Sequence, residues 1–68
     1  MKNALKVERA KNNMSQAELA EKVSVSRQTI NSIELGKYVP STLLPLKIAT
    51  VFNTRVDDIF TLQEEDWN

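Results

Sequence analysis

The sequence predicts an all-α fold, and three observations lead to that prediction. The 68 residues include one glycine and two prolines, which leaves few positions for the tight turns of hairpins. Aliphatic residues recur three and four positions apart, which is the spacing of one helix face. Serines precede two of these segments where helix N-caps are expected. A chain this short buries only about 60 % of its unfolded surface, so we expect one domain over residues 1–68 without a deep active site.

The first two helices are predicted over residues 3 or 4 to 11 and over residues 16–23. Asn12 and Asn13 end the first helix, because asparagine tolerates left-handed backbone. Ser15 and Glu18 form a capping box at the start of the second helix, with Met14 as a staple residue. The first helix turns Leu5 and Ala10 inward, and the second buries Leu19, Ala20 and Val23.

A third helix is predicted to follow Ser26, its N-cap, and to run to residue 34. Ile30 and Ile33 are three positions apart and form its buried side. Gly36, the only glycine, lies where a left-handed C-cap is required. The outward side then carries four polar residues: Arg27, Gln28, Asn31 and Ser32.

The C-terminal part is predicted to hold a fourth helix over residues 43–52 and a short fifth helix over residues 56–60. Pro45 must lie in the first turn of the fourth helix, which favours Thr42 over Ser41 as the N-cap. Residues 61–68 form an acidic tail that we expect to be frayed, apart from a short strand at 60–63. The core candidates of the fourth helix are Leu44, Ile48, Val51 and Phe52.

Charge is distributed unevenly although the chain is neutral overall. Residues 1–47 carry eight basic and four acidic side chains, whereas residues 48–68 carry one basic and five acidic side chains. The first part has a net charge of +4 and the second −4. A polyanion would be steered toward the first part and kept away from the tail. A solvated surface whose charges segregate by chance remains the alternative.

The residue types present argue against catalysis and metal binding. Cysteine and histidine are both absent, which removes thiolate ligands, the commonest general base and the commonest nitrogen ligand. Asp57 and Asp58 are adjacent, so on a helix their side chains diverge by about 100° and favour helix-end electrostatics over a catalytic pair. We expect no enzyme, metal, cofactor or small-molecule substrate. No apolar run reaches membrane-spanning length and no signal sequence is evident, so a cytoplasmic location is expected.

The spacing of the second and third helices is typical of a helix-turn-helix. About three residues join the helices, and the motif covers residues 15–35. Counted from Gln16, the fifth place, where the helices cross closely, is Ala20. The fourth, eighth, tenth, fifteenth and eighteenth places are apolar: Leu19, Val23, Val25, Ile30 and Ile33.

These residues carry a resemblance to a known family. The segments Gln16 to Ala20, Val25 to Ile30 and Ile33 to Lys37 resemble the Cro and phage-repressor family, also called the XRE family, over nearly the whole chain. The chain is most similar to small stand-alone regulators of the cytolysin-repressor type. The resemblance implies a five-helix lambda-repressor-like fold whose third helix enters the DNA major groove. It also implies that the two chain ends pair as a short antiparallel β-sheet.

The resemblance also implies roles for individual residues. The base-reading positions are Arg27, Gln28 and Ser32, with Asn31 beside them; arginine suits guanine and glutamine suits adenine. Arg9 and Glu34 match a structural ion pair between the first helix and the recognition helix. The positions that contact phosphates are Ser15, Gln16, Ser26, Thr29, Lys37 and Tyr38. The chain departs from the family pattern at Ser24, in place of a turn glycine, and at Leu35, Thr42, Pro45 and Arg55.

The predicted function is sequence-specific binding of double-stranded DNA, as a repressor that occupies a palindromic operator. One module buries too little surface for tight specific binding, so we expect a homodimer. Its interface would include Phe60, Leu62, Trp67 and residues 1–3; the alternatives for Trp67 are docking on the first helix and exposure to solvent. A second class of function is an antitoxin-like protein-interaction module whose acidic tail binds a basic protein. DNA affinity that falls with salt would favour the regulator.

Overall fold

The computed structural model describes residues 1–67 and consists mainly of five helices. Two short strands pair in antiparallel register, with Lys2 opposite Thr61 and Asn3 opposite Phe60. The all-α prediction is confirmed, as are the five helices and the terminal β pairing. The elements are β1 (Lys2–Asn3), α1 (Leu5–Lys11), α2 (Gln16–Val23), α3 (Arg27–Glu34), α4 (Leu43–Val51), α5 (Val56–Ile59), β2 (Phe60–Thr61) and a 3₁₀ turn (Glu64–Trp67).

The β pairing corrects the predicted ends of two helices. Asn3 is held in β1, and the amide of Ala4 donates to the carbonyl of Ile59 at 2.8 Å, so α1 begins at Leu5. Phe60 enters β2 for the same reason, and α5 ends at Ile59. α4 ends at Val51, one residue earlier than predicted, with Phe52 as its C-cap. The predicted ends of α2 and α3 match the structure.

The predicted N-caps of α2 and α3 are present. Ser15 Oγ accepts from the Glu18 amide, and the Glu18 carboxylate accepts from the Ser15 amide, each at 3.0 Å. The hydrogen bond from the Ser15 amide lowers the pKa of the Glu18 carboxyl group, and the hydrogen bond with the Ser15 hydroxyl lowers it further. Ser26 Oγ accepts from the Thr29 amide at 3.1 Å. Thr42 takes the N-cap position of α4, as predicted, but its backbone is helical and its side chain makes no capping hydrogen bond.

Left-handed backbone occurs at the turns where the sequence indicates it. Asn13 follows α1 with φ 50°, and Gly36 follows α3 with φ 75°. Ser24 ends α2 with φ 61°, so the turn position that the family fills with glycine does require positive φ. A non-glycine residue there costs roughly 1–2 kcal/mol.

The core lies between the helices and closes against the terminal strands. Leu5 of α1 and Ile59 of α5 are as inaccessible as the isoleucines of α3. Two expectations differ from the structure, because Ala10 is exposed and Val51 is half-buried. The hydrophobic core consists of Leu5, Leu19, Ala20, Val23, Ile30, Ile33, Leu44, Ile48, Ala49, Phe52, Ile59 and Phe60.

The tail is more ordered than predicted. Asp66 accepts from the backbone amide of Gln63 at 2.7 Å and from the Met1 ammonium group at 3.1 Å, which holds the 3₁₀ turn beside β1. The prediction of a frayed tail is therefore wrong for these residues. Trp67 is 76 % exposed and does not dock on α1. The frayed tail was predicted to include Asn68, which lies outside the described residues.

Candidate nucleic-acid interface

The close crossing of α2 and α3 places one side of α3 at the surface. Ala20 is 3 % exposed at the crossing, where a larger side chain would separate the helices. The Val25 amide donates to the Ala20 carbonyl at 3.0 Å and tightens the turn. Ile30 and Ile33 are buried, so α3 presents its polar side outward. On that side Arg27 and Gln28 are exposed, whereas Asn31 and Ser32 are half-buried.

A shallow hydroxyl-rich groove of about 310 Å³ runs beside this polar side. Ser26 Oγ and Thr29 Oγ1 lie 3.0 Å apart at the start of α3. The first turn of α3 has no acidic residue that would repel a phosphate. The groove is lined by Ser26, Gln28, Thr29, Ser32 and Tyr38, and Lys37 is exposed next to Tyr38. The structure thus brings hydroxyl and amide groups together along one edge of α3.

Arg9 and Glu34 form an ion pair that joins α1 to the end of α3. Arg9 Nε donates to Glu34 Oε2 at 2.6 Å, and a second guanidinium nitrogen, Nη2, donates to Oε1 at 3.0 Å. Nη1 donates to the Met14 carbonyl at 3.0 Å. This fork geometry is the strong form of an arginine–carboxylate pair. It fixes the position of α3 relative to α1.

Burial and hydrogen bonding act in opposite directions on the Glu34 carboxyl group. Desolvation by burial is the largest single influence and raises its pKa. The hydrogen bonds from Arg9 and Gln16, with the charge of Arg9, together outweigh it, so the pKa of Glu34 lies below its ordinary value. The same hydrogen bond raises the pKa of Arg9. Both groups are therefore charged at neutral pH.

Gln16, a predicted phosphate contact, is bonded inside the protein. Its Nε2 donates to Asn31 Oδ1 at 3.1 Å and to Glu34 Oε1 at 3.0 Å. Its Oε1 accepts from Arg27 Nη1 at 3.0 Å. The side chain of Gln16 therefore connects the ion pair to two of the predicted base-reading residues.

Asn3 supports the same region and was not identified from the sequence. Its Nδ2 donates to the Ile33 carbonyl at 2.8 Å, and its Oδ1 accepts from the Leu5 amide at 3.3 Å. The partners Asn3 and Ile33 are 30 residues apart. No local pattern in the sequence signals this contact, which attaches β1 to the last turn of α3.

An apolar face lies on α4 and the segment before it, and Met1 and Phe60 of the predicted dimer residues line it. A groove of about 350 Å³ is lined mainly by apolar residues, among them Met1, Val39, Pro40, Pro45, Leu46, Val56 and Phe60. Phe60 itself is only 7 % exposed, whereas Leu62 is exposed. Val39, Leu43 and Leu46, which the sequence reasoning missed, are more than half exposed. The signal for Leu43 and Leu46 is that α4 contains only two polar residues, Lys47 and Thr50, and so has more apolar residues than one buried face requires.

Residues 1–67 contain neither a membrane-spanning helix nor a cluster of metal-binding side chains. No helix in this range is long and apolar enough to cross a membrane. The acidic side chains of the same range form no group of three or more that could hold a metal ion.

Comparison with known proteins places this geometry in a family. A helix-turn-helix family profile matches residues 5–59. An uncharacterized HTH-type transcriptional regulator of Methanocaldococcus jannaschii is 50 % identical over 66 residues, which is 97 % of this chain and 100 % of that protein.

Two further relatives are also uncharacterized HTH-type transcriptional regulators, with similar coverage. The Archaeoglobus fulgidus protein is 52 % identical over 97 % of this chain and 93 % of its own length. The Bacillus subtilis protein is 50 % identical over 97 % of this chain and all of its own length. The family is a non-enzymatic, DNA-binding kind. With the α2 to α3 crossing and the exposed polar side of α3, these matches show that the chain belongs to the XRE family of helix-turn-helix transcriptional regulators.

Proposed function

We propose that this protein is a cytoplasmic repressor that binds a palindromic operator as a homodimer, with residues 1–68 acting as one DNA-binding domain. The observation that carries the proposal is the outward side of α3. Arg27 and Gln28 are exposed there, no carboxylate lies in the first turn, and the tight crossing with α2 keeps the helix rigid. A helix of this kind fits the DNA major groove.

The polar residues divide into two roles in this proposal. Arg27 contacts guanine O6 and N7, and Gln28 contacts adenine N6 and N7, with Asn31 and Ser32 beside them. Phosphate contacts position the protein and carry no sequence information themselves. These contacts come from the start of α2 and from the hydroxyl-rich groove, through Ser15, Ser26, Thr29, Lys37 and Tyr38. Gln16, the other phosphate contact predicted from the sequence, already donates to Asn31 and Glu34.

The apolar face supports the homodimer. Isolated exposed aliphatic residues are ordinary, but Val39 and Leu46 line one apolar groove, and Leu43 is a further exposed leucine on α4. A self-complementary interface of two-fold symmetry would bury them against the same residues of a second copy. Phe60, Leu62 and Trp67 lie on the same terminal part of the chain and extend the proposed interface. The molecule measures 34 × 22 × 20 Å, so two copies side by side can place their recognition helices about 34 Å apart, one DNA turn.

Selection from a random DNA pool tests the readout. We expect two inverted half-sites to be enriched, with affinity that falls steeply as salt increases. Arg27→Ala and Gln28→Ala should each reduce the free energy of discrimination between base pairs, at the one base pair that the residue contacts, by roughly 1–3 kcal/mol. The matched control is Arg55→Ala, which removes an equal charge from an exposed pair with Asp57. No enrichment over bulk DNA, or salt-insensitive binding to a co-purified protein instead, would overturn the proposal.

Analytical ultracentrifugation tests the proposed dimer interface. Leu46→Asp should convert a dimer to a monomer and weaken binding to the two-half-site operator, because the carboxylate would be buried against its symmetry mate. Val7→Asp is the matched control, since Val7 is an equally exposed aliphatic residue on α1. A wild-type monomer at micromolar concentration, or equal effects of the two substitutions, would contradict the proposed interface.

A further inference from the structure

We propose that Gln16 is a positioning residue that aims Arg27 and Asn31 and so determines which base the recognition helix prefers. The inference rests on the proposed function and deepens it. Gln16 was expected to act as a phosphate contact, which would add affinity for any sequence. Its bonds inside the protein instead connect it to the residues that face the bases.

The orientation of the Gln16 amide is fixed by its neighbours. A carboxylate only accepts hydrogen bonds, so the amino group of Gln16 must face Glu34 Oε1, 3.0 Å away. A guanidinium only donates, so the carbonyl oxygen must face Arg27 Nη1, also 3.0 Å away. Reversing the amide would break both bonds at once. The charge of Glu34, itself held by Arg9, therefore determines which group Gln16 presents to α3.

This bond restrains a side chain that would otherwise be free. Arg27 is exposed at the start of α3, and long arginine side chains have many rotamers in water. The bond to Gln16 uses one Nη1 hydrogen and leaves the remaining guanidinium donors for a ligand. A donor pair in a fixed direction matches the two acceptors of guanine, O6 and N7. Gln16 thus lowers the entropy that Arg27 would lose on binding.

The same contact restricts Asn31. Its Oδ1 accepts from Gln16 Nε2 at 3.1 Å, so its amino group is the hydrogen-bonding group that remains for a base. Bidentate recognition of adenine needs both an acceptor and a donor, and would require Oδ1 to accept a second bond. Arg27 and Asn31 are four residues apart and share one side of α3. Arg27 and Asn31 both present hydrogen-bond donors. They therefore favour guanine, or another base edge that carries acceptors, at the positions they contact.

A comparison of sequence preference with affinity separates this role from a phosphate contact. Random-pool selection would be carried out on the wild type, Gln16→Ala, Arg27→Ala and the double variant. The base pair read by Arg27 is the one at which Arg27→Ala loses its guanine preference. We expect the guanine preference of Gln16→Ala at that base pair to be at least about fivefold weaker than that of the wild type. In the double variant the second substitution should change nothing further at that base pair.

The matched control is Lys37→Ala, which removes a predicted phosphate contact that has no bond to Arg27. It should weaken binding about equally on all sequences and leave the guanine preference intact. If Gln16→Ala instead behaves like Lys37→Ala, or if adenine is preferred where Asn31 reaches, the inference is overturned. In both results the wild type still selects an operator, so the proposed function survives. Absence of any wild-type enrichment overturns the function and the inference together.

A second variant distinguishes loss of the Gln16 amide group from a defect in folding. Gln16→Met keeps the length and packing of the side chain but has no amide group. Circular dichroism melts of both Gln16 variants show whether they fold. A folded Gln16→Met variant with the wild-type guanine preference would contradict the inference, and one with the reduced preference of Gln16→Ala would support it.

Discussion

Neutralising Glu34 without changing its shape tests how strongly the ion pair stabilises the protein. Glu34→Gln leaves Arg9 charged at a site where the two side chains are only 14 % and 7 % exposed. Removing one partner of a buried pair costs about 3–5 kcal/mol, whereas exposed pairs contribute about 0–1 kcal/mol. Arg9 keeps its bond to the Met14 carbonyl and some contact with water. We therefore expect a loss of about 2–3 kcal/mol in the free energy of unfolding.

Thermal unfolding followed by circular dichroism at pH 7 measures this loss. For a domain of this size 1 kcal/mol shifts Tm by roughly 4–8 °C, so Tm should fall by roughly 10–20 °C. The matched control is Asp57→Asn, because the Arg55–Asp57 pair is also bidentate, with two bonds of 3.1 Å, but its side chains are 77 % and 69 % exposed. That substitution should leave Tm nearly unchanged. Equal shifts for the two variants would refute the reasoning from burial.

The pH dependence gives a second readout of the same group. The pKa of Glu34 is lowered in the folded protein, so the unfolded chain binds its proton more readily. The stabilisation is fully present above the unfolded pKa and is lost as pH falls through the folded value. The difference in Tm between the wild type and Glu34→Gln should therefore shrink in acid. A difference that grows on acidification would show that the sign is wrong.

Three further predictions concern single contacts and can be checked by urea unfolding. Ser24→Gly should stabilise the protein by about 1 kcal/mol, because φ there is 61° and glycine adopts it freely; destabilisation would contradict this. Ser15→Ala should cost about 1 kcal/mol through loss of the capping box, and an unchanged midpoint would argue against it. Asn3→Ala should cost about 1–3 kcal/mol, because the Ile33 carbonyl loses its 2.8 Å donor; a wild-type unfolding free energy would exclude that role.

The local parts of the structure could be predicted from the sequence. The capping box at Ser15, the N-cap at Ser26 and the left-handed ends at Asn13 and Gly36 each involve residues within about four positions of one another. The inward side of α3 follows from the spacing of Ile30 and Ile33 in the same way. The small residue at the α2 to α3 crossing is also recognisable, because the helix-turn-helix fixes its place relative to the caps. The helical fold and the exposed polar side of α3 were therefore predictable.

The helix ends at Leu5 and Ile59 were decided by the tertiary structure, because pairing between the two chain ends replaces local helical bonds there. The internal bonds of Gln16 and the support from Asn3 also depend on partners brought together only by folding. The sequence determined which side chains α3 carries, since their alternation is a property of a single helix. Only the packed structure decided how those side chains are aimed and which face of α4 stays uncovered. Hydrogen-bond direction and burial depend on neighbours that are distant along the chain.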